Sequence, residues 1–267
     1  AVSSLAKIID FNCVTAAMKI GTGLEKFSNQ YNDRYIDVGI AEGHAVTYSA
    51  GLSSAGILPI VPIYSTFMQR AFDNIVHDFA LQSLPGIFCM DRAGLVGNDG
   101  PTHHGVFDIS FMCSIPKMIV FAPKDGNELF NILYTSIKNK LFISIRYPKT
   151  HTKYNNNNNP ELIRLGSWEI INKGDHICIL ACGSMVDVCT KTINMVKENC
   201  DLKITLINCR FIKPFDKELL DDLINDHNTF ITVEEGLISG GFGSQVSNYF
   251  SKNNIKNNLI NLGINDE

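Results

Sequence analysis

Apolar and polar positions along this chain follow two alternating patterns, which predict strands and helices in turn. Short, continuous apolar runs predict buried strands, and between them apolar residues at helical spacing predict amphipathic helices. The predicted strands are 58–64, 86–90, 118–121, 141–146, 176–181, 203–207, 229–233 and 259–262. The predicted helices are 45–51, 66–84, 126–138, 185–199, 217–223 and 244–250. This alternation predicts an α/β fold in which mostly parallel sheets are covered by helices on both faces.

A run of asparagines interrupts this alternation near the middle of the chain. Residues 155–159 are all Asn and Pro160 follows, which is typical of an exposed linker. We therefore expect two α/β domains, each with its own mostly parallel sheet, over residues 1–150 and 161–267. The linker is placed at 151–160, and the second domain is expected to be truncated.

Composition and charge narrow the class of protein. The 267 residues are 45% hydrophobic and 19% charged, which is enough apolar surface to build a core and argues against disorder. A net charge of −4 gives no general attraction to nucleic acid or to an anionic membrane. No apolar run has spanning length and no signal peptide is visible. The eight cysteines lack any C-x-x-C pair, which favours reduced core thiols over disulfides or metal ligands.

One segment concentrates groups that are costly to bury in an ordinary core. Residues 91–105 follow a predicted strand and contain Asp91, Arg92, Asp99, His103 and His104 among several glycines. Open α/β sheets bind ligands outside the carboxyl ends of their strands, so we expect a ligand-binding loop here.

Two further segments point to the same kind of site. Residues 37–44 place Glu42 at the start of a predicted helix, where a carboxylate is favoured by the helix dipole. Residues 64–73 follow another predicted strand and open a helix that carries Phe67 and Arg70 on one face. Each feature taken alone is more often structural than functional.

Taken together, these segments resemble the 1-deoxy-D-xylulose-5-phosphate synthases, thiamine-diphosphate enzymes of the transketolase superfamily. The family's strings D-R-Y-x-D-V-x-I-A-E-Q-H-A-V, Y-S-T-F-x-Q-R-A-x-D and D-R-A-G-x-V-G-x-D-G-x-T-H-x-G correspond to residues 33–46, 64–73 and 91–105. The likeness continues through 146–148 and 233–246. It implies a transferase that decarboxylates pyruvate and passes the two-carbon unit to glyceraldehyde 3-phosphate. That reaction begins the methylerythritol phosphate route to isoprenoids and also supplies thiamine and pyridoxal precursors.

The resemblance also implies roles for particular residues. Glu42 is expected to hydrogen-bond N1′ of the thiamine aminopyrimidine, Phe67 to stack on that ring, and Ile40 to contribute to the cofactor site. Asp99 and His103 are expected to contact substrate hydroxyls, with His103 able to move a proton near neutral pH. The residues expected around the acceptor and its phosphate are Tyr64, Arg70, Arg92 and Arg146. His104 is a weaker candidate, and His77 is expected to be a packing or surface residue.

The chain departs from the family pattern in two ways. Gly43 stands where Gln commonly follows the catalytic Glu, and no G-D-G…N motif, which anchors Mg²⁺ and the cofactor's diphosphate, is found. We therefore expect no metal site in this chain, a separate N-terminal diphosphate-binding domain, and no turnover by the chain alone. The likeness further implies a soluble homodimer, in the plastid stroma of a eukaryote or the cytoplasm of a bacterium.

Two other interpretations stay open. The β chain of a 2-oxo acid dehydrogenase would also lack the diphosphate anchor, although segments 64–73 and 91–105 argue against it. A non-catalytic assembly module with a decayed site is the second alternative. The run Gly240-Gly-Phe-Gly243 is only a weak match to a dinucleotide fingerprint, and we expect it to be a structural turn.

Overall fold

The computed structural model describes residues 1–152, 154, 159–200 and 202–266, and these residues form two β-sheets with helices packed around them. Most of the asparagine run, residues 155–158, lies outside the described residues, so the predicted linker and domain bounds stay a prediction. The predicted α/β architecture with two mostly parallel sheets is confirmed.

In the described residues, the strands follow the predicted ones closely, with four short additions. They are β1 Asn12–Thr15, β2 Tyr35–Asp37, β3 Pro59–Tyr64, β4 Gly86–Asp91, β5 Ile119–Phe121, β6 Phe142–Tyr147, β7 Glu169–Asn172, β8 His176–Ala181, β9 Ile204–Asn208, β10 Phe211–Lys213, β11 His227–Leu237 and β12 Asn258–Ile264. Strands β1, β2, β7 and β10 were not predicted, because three or four residues are too few to show a period.

The α-helices in the described residues are α1 Val2–Leu5, α2 Glu25–Gln30, α3 Glu42–Ser54, α4 Ser65–Met68, α5 Phe72–Asn74, α6 Asp108–Ser114, α7 Gly126–Lys138, α8 Met185–Asn199, α9 Lys217–Asp226 and α10 Phe242–Lys252. The single helix predicted over 66–84 is wrong in detail. It is a series of short turns, in which Gln69–Ala71 is a 3₁₀ turn and Ile75–Ala80 a π turn. Apolar spacing does not distinguish these turns, because they differ in the partner of each backbone hydrogen bond.

The first sheet has seven strands in the order β10-β5-β6-β4-β3-β1-β2. Every neighbouring pair is parallel except β10 with β5. Strand β10 comes from the second half of the chain, so its hydrogen bonds to β5 connect the second half to the edge of the first sheet. Sequence pattern alone assigned no strand there.

The second sheet has five strands in the order β12-β11-β8-β9-β7, all parallel except β7 with β9. Fully buried phenylalanines support both halves. In the first half, Phe88 packs edge-to-face on Phe79 at 5.1 Å between ring centroids, and both are shielded from solvent. Burying each such ring contributes about 2 kcal/mol, which holds the sheet rigid beneath its carboxyl edge.

Candidate active site

The candidate active site lies at one edge of the first sheet, where its parallel strands end. Tyr64 closes β3, Asp91 closes β4 and Tyr147 closes β6, and these three residues are in register across the strands. Glu42 begins α3 shortly after β2 ends. Because parallel strands present their carboxyl ends together, residues far apart in sequence meet at this edge.

Glu42 is a buried carboxylate with a cationic partner. It is 3% exposed, and Nη1 of Arg70 donates to its Oε1 at 2.6 Å. Its place in the first turn of α3 is favoured by the helix dipole. The pair engages one of the two carboxylate oxygens, and the Arg70 side chain itself is 57% exposed at the surface of the site.

Three rings form an aromatic wall beside this pair. Tyr64 and Phe67 stack with 5.7 Å between centroids, and His103 meets Phe67 edge-on at 5.2 Å. The guanidinium carbon of Arg70 lies 4.7 Å from the Phe67 centroid, and that of Arg92 lies 3.8 Å from the Tyr64 centroid. These cation–π contacts hold both guanidinium groups against the wall.

Arg92 is the centre of a charge network on the loop that follows β4. Its Nη1 donates to Asp91 at 2.9 Å and to the carbonyl of Gly21 at 2.9 Å, while its Nε donates to Asp99 at 3.0 Å. Lys149 donates to the other oxygen of Asp99 at 2.6 Å. Two cations and two carboxylates thus alternate across the mouth of the site.

The electrostatics of the two carboxylates differ. Burial raises the pKa of Asp91 to about 6, although Arg92 acts in the opposite direction. The hydrogen bond from Lys149 holds the pKa of Asp99 below its ordinary value. Arg92 has a φ of +60°, an uncommon conformation for a residue with a side chain, and such strain is often found at functional sites.

The structure brings most of the predicted site residues together, but not all of them. Arg146 is 5% exposed, and it donates to Asp108 at 2.9 Å and to the carbonyl of Glu235 at 2.9 Å. It is therefore engaged in a buried pair beside the Arg92 network, and its contact with a phosphate stays a prediction. Ile40 is 83% exposed at the rim of the sheet.

The two lesser histidines have structural contacts. The backbone N–H of Val96 donates to Nδ1 of His104 at 3.2 Å, so this hydrogen bond connects two residues of the loop that follows β4. His77 lies on the surface, where Nδ1 pairs with Asp73 at 3.0 Å. The surface position of His77 agrees with the expectation from its helix.

The space beside Gly43 is already filled. A Cβ at Gly43 would lie 2.9 Å from Oδ1 of Asn74, which is closer than real Cβ atoms come. Asn74 in turn donates to the hydroxyl of Thr47 at 2.9 Å, and Thr47 donates to Asp78 at 2.6 Å. A side-chain amide thus does lie beside position 43, supplied by α5.

The glycine-rich turn of the second half is occupied by a residue of the chain. Glu234 is 4% exposed and accepts hydrogen bonds from the N–H groups of Phe242 and Gly243, at 2.9 and 2.8 Å. These are the first N–H groups of α10, where a nucleotide phosphate would otherwise bind. The contacts support a structural turn at Gly240–Gly243.

Other kinds of site find no support in the part of the chain that the structure describes. No cluster of three or more His, Cys, Asp or Glu side chains there is arranged to hold a metal ion. Within the same residues, no helix is long and apolar enough to cross a membrane. The eight cysteines are free thiols, six of them buried.

Sequence reasoning missed three residues that the site uses. Lys149 pairs with Asp99, Asn74 fills the space beside Gly43, and Glu235 reaches the loop after β4 from the second half of the chain. Lys149 follows the Arg146-Tyr-Pro148 match directly, which was a usable signal. Glu235 lies within the matched segment 233–246 and Asn74 directly follows the match at 64–73, but their partners are distant in sequence, so no local pattern predicted their contacts.

Fold and site together define a transketolase-like α/β protein with a polar site at the edge of its first sheet. The family model for "Transketolase, pyrimidine binding domain" matches residues 2–154, and that for "Transketolase, C-terminal domain" matches residues 166–267. The chain belongs to the transketolase family.

Curated proteins with one named activity match this chain over almost its whole length. The 1-deoxy-D-xylulose-5-phosphate synthase of Aquifex aeolicus is 45% identical over 254 residues, which cover 95% of this chain and 40% of that protein. The enzyme of the same name from Clostridium tetani is 45% identical over 254 residues, with 95% of this chain and 41% of that protein covered. The resemblance seen in the sequence is confirmed, and the chain spans about two fifths of the length of these relatives.

Solved structures share the fold. A chain titled "Split gene transketolase, inactive beta4 tetramer" superposes with a TM-score of 0.85 at 23% identity, covering 99% of this chain and 86% of that one. The transketolase of Campylobacter jejuni gives a TM-score of 0.75 at 18% identity, covering 97% of this chain and 40% of that one. At these identities the likeness shows the fold alone.

Proposed function

We propose that this chain is the pyrimidine-binding and C-terminal part of a 1-deoxy-D-xylulose-5-phosphate synthase. The observation that carries the proposal is the joint placement of Glu42, Phe67, Arg70, Arg92 and Asp99 at one sheet edge. It occurs in a chain that is 45% identical, over 95% of its length, to an enzyme of that name. The reaction is the transfer of a two-carbon unit from pyruvate to glyceraldehyde 3-phosphate.

Thiamine diphosphate is the cofactor of this proposal, and the residues fit its aminopyrimidine end. Glu42 offers a buried carboxyl group to a ring nitrogen, and the half-buried Phe67 offers a stacking face nearby. When bound, the cofactor supplies a thiazolium carbon that adds to the keto carbon of pyruvate and takes up the electron pair released with carbon dioxide. Glu42 would present its carboxyl group to the ring nitrogen, and the hydrogen bond from Arg70 fixes the orientation of that carboxyl group.

The acceptor carries a phosphate dianion, and the mouth of the site supplies cations for it. Arg92 contributes positive charge beside the Tyr64 ring, while its Nε and Nη1 are held by Asp99, Asp91 and the Gly21 carbonyl. Lys149 and Arg70 add two partly exposed cations. We assign to His103, which is edge-on to Phe67, the transfer of a proton to the aldehyde oxygen of the acceptor. Asp99 orients Arg92 and Lys149 and is available to substrate hydroxyls.

The remaining parts of the proposal concern the whole protein. Mg²⁺ and the cofactor's diphosphate are assigned to a diphosphate-binding domain in the part of the relatives' length that this chain does not span. The complete protein is proposed to be a homodimer that acts in the methylerythritol phosphate route to isoprenoids. Its proposed location is a plastid if the source is a eukaryote, and the cytoplasm if it is a bacterium.

The test measures 1-deoxy-D-xylulose 5-phosphate formed from pyruvate and glyceraldehyde 3-phosphate, with thiamine diphosphate and Mg²⁺ present. The full-length protein, this chain alone, and full-length Glu42→Ala and His77→Ala variants are compared. We expect product only from the full-length protein and from His77→Ala, because His77 lies on the surface, where it pairs with Asp73. Unchanged turnover in Glu42→Ala would contradict the assigned role of Glu42.

The same assay separates the two alternatives. A full-length protein that acylates a lipoyl domain and makes no 1-deoxy-D-xylulose 5-phosphate is a 2-oxo acid dehydrogenase component. A protein that does neither, while binding thiamine diphosphate weakly or not at all, is a non-catalytic module. The proposed function requires that product formation depends on the phosphorylated acceptor.

A further inference from the structure

The carboxyl end of β11, in the second half of the chain, lies against the loop that carries the acceptor-site residues. We call residues 92–105 the site loop. Oε1 of Glu235 accepts a hydrogen bond from the backbone N–H of Leu95 at 3.1 Å. Its Oε2 accepts from the hydroxyl of Ser184 at 3.0 Å, so the carboxylate is held from the side of the second sheet. One half-buried side chain thus connects the site loop to the second domain.

The site loop is shaped to receive this carboxylate. Gly94 has a φ of +77°, and a Cβ there would lie 2.5 Å from Cδ of Glu235. Only a residue without a side chain allows such an approach in that conformation. Gly94 also exchanges backbone hydrogen bonds with Gly105, which closes the base of the loop at 2.9 and 2.8 Å. The contact with Glu235 therefore falls at the point where the loop is closed.

Other bonds hold the same strand end in place. Nη2 of Arg146 donates to the carbonyl of Glu235 at 2.9 Å, and the N–H of Leu237 donates to the carbonyl of Val106 at 3.1 Å. The backbone of β11 is thus fixed on both sides of the carboxylate. The Glu235 side chain has little freedom to follow a loop that moves.

We propose that Glu235 is a positioning residue for the acceptor site, an inference that rests on the proposed function. It fixes the Leu95 amide and thereby sets the path of the site loop, which carries Arg92, Asp99 and His103. This gives the second domain a definite part in the reaction, because it places the groups that bind the phosphorylated aldehyde. Binding of pyruvate depends less on this loop.

The experiment compares Glu235→Ala and Glu235→Gln in the full-length protein. Losing a hydrogen bond to a charged acceptor corresponds to roughly a tenfold change in an equilibrium. We expect Glu235→Ala to lower kcat/KM for glyceraldehyde 3-phosphate about tenfold, with KM for pyruvate changed less than about twofold. Glu235→Gln keeps an amide oxygen for the Leu95 N–H and is expected to recover most of the loss. Equal effects on both substrates, or no recovery by Gln, would overturn the proposal.

The neighbouring carboxylate provides the matched control. Glu234 directly precedes Glu235 in the sequence. Its carboxylate accepts hydrogen bonds from N–H groups in the first turn of α10 and does not contact the site loop. Glu234→Gln should lower the melting temperature and leave kcat/KM for the aldehyde unchanged. If Glu234→Gln reproduces the kinetic defect, the effect is general destabilisation of the second domain and the proposal fails.

A second measurement is independent of activity. Amide hydrogen exchange of the full-length protein should quicken within the site loop in Glu235→Ala, and stay unchanged in α9. Unchanged exchange of the loop would refute the positioning role even if the kinetics shift. If the wild-type protein makes no 1-deoxy-D-xylulose 5-phosphate, the proposed function fails, and exchange alone then decides whether Glu235 holds the loop.

Discussion

Asp91 makes the stability of this protein depend on pH in a way that one substitution can isolate. The carboxyl group closes β4 beneath Arg92, and burial raises its pKa from the ordinary 3.8 to about 6. At about 1.4 kcal/mol for each pKa unit, ionising Asp91 costs about 3 kcal/mol more in the folded protein than in the unfolded chain. This cost already includes the favourable contact with Arg92.

The direction of this pH dependence follows from the number of protons that Asp91 binds in the folded and unfolded states. Between about pH 4 and pH 6 the folded protein binds more protons at Asp91 than the unfolded chain does, so the free energy of unfolding falls as the pH rises. Below this window the cost is absent, and above it the cost is fully present. Asp91→Asn cannot ionise and has no such dependence. The variant should therefore gain up to about 3 kcal/mol of stability relative to wild type between pH 4 and pH 7.5.

Urea unfolding of both proteins at a series of pH values, followed by circular dichroism, measures this difference. Asp99→Asn is the matched control, because the pKa of Asp99 is lowered by Lys149 and the stabilisation is lost only as the pH falls below the ordinary value. The difference in free energy of unfolding between Asp99→Asn and wild type should stay constant between pH 4.5 and pH 7.5. If the difference in free energy of unfolding between Asp91→Asn and wild type is constant over the same pH range, the argument from burial is refuted.

Three further predictions concern the site and the sheet that supports it. Gly43→Gln should lower the melting temperature, because the new Cβ would lie 2.9 Å from Oδ1 of Asn74. Adding Asn74→Gly should restore the melting temperature. Thermal melts of the double variant that show no recovery would contradict the steric overlap. Lys149→Met should raise KM for glyceraldehyde 3-phosphate by roughly threefold to tenfold in steady-state assays, with KM for pyruvate unchanged, because one partly exposed cation is lost. Phe211→Ala should cost about 3–5 kcal/mol in urea unfolding, since the fully buried ring packs 4.7 Å from that of Phe121 across the β10–β5 pair. A loss under 1 kcal/mol would show that β10 adds little to the first sheet.

The position of a residue relative to the edge of the first sheet explains whether its substitution should change the stability of the protein or the binding of substrate. Residues below the edge of the first sheet, such as Phe88, are fully buried in a packed core. Residues at the edge, such as Asp91 and Arg92, are buried charged groups whose desolvation costs folding energy, while the contacts between them set the geometry of the site. Changes in the core should therefore act through unfolding, whereas changes at the edge should alter substrate binding at little cost in stability, or even with a gain.

The sequence by itself determined the fold class and the family, and it named most of the residues that lie together at the candidate site. Apolar periodicity is a local property, so it placed helices such as Gly126–Lys138 and Met185–Asn199 at their observed bounds. The motif around residues 91–105 identified Arg92, Asp99 and His103 because polar groups between glycines are unlike a core segment. The carboxyl ends of parallel strands meet at one edge, which made the joint placement with Glu42 and Phe67 predictable.

Only the tertiary structure decided which of these groups contact one another. Arg146 lies buried against Asp108, because pairing compensates a charge that the fold removes from water, and its expected contact with a phosphate stays a prediction. Strand β10 crosses into the first sheet, and Glu235 reaches Leu95 across 140 positions of sequence. Such contacts depend on how the two halves pack, and local pattern does not encode the energy of packing distant segments. The physical reason is that periodicity reports burial of a face, whereas the partner of that face is set by the whole fold.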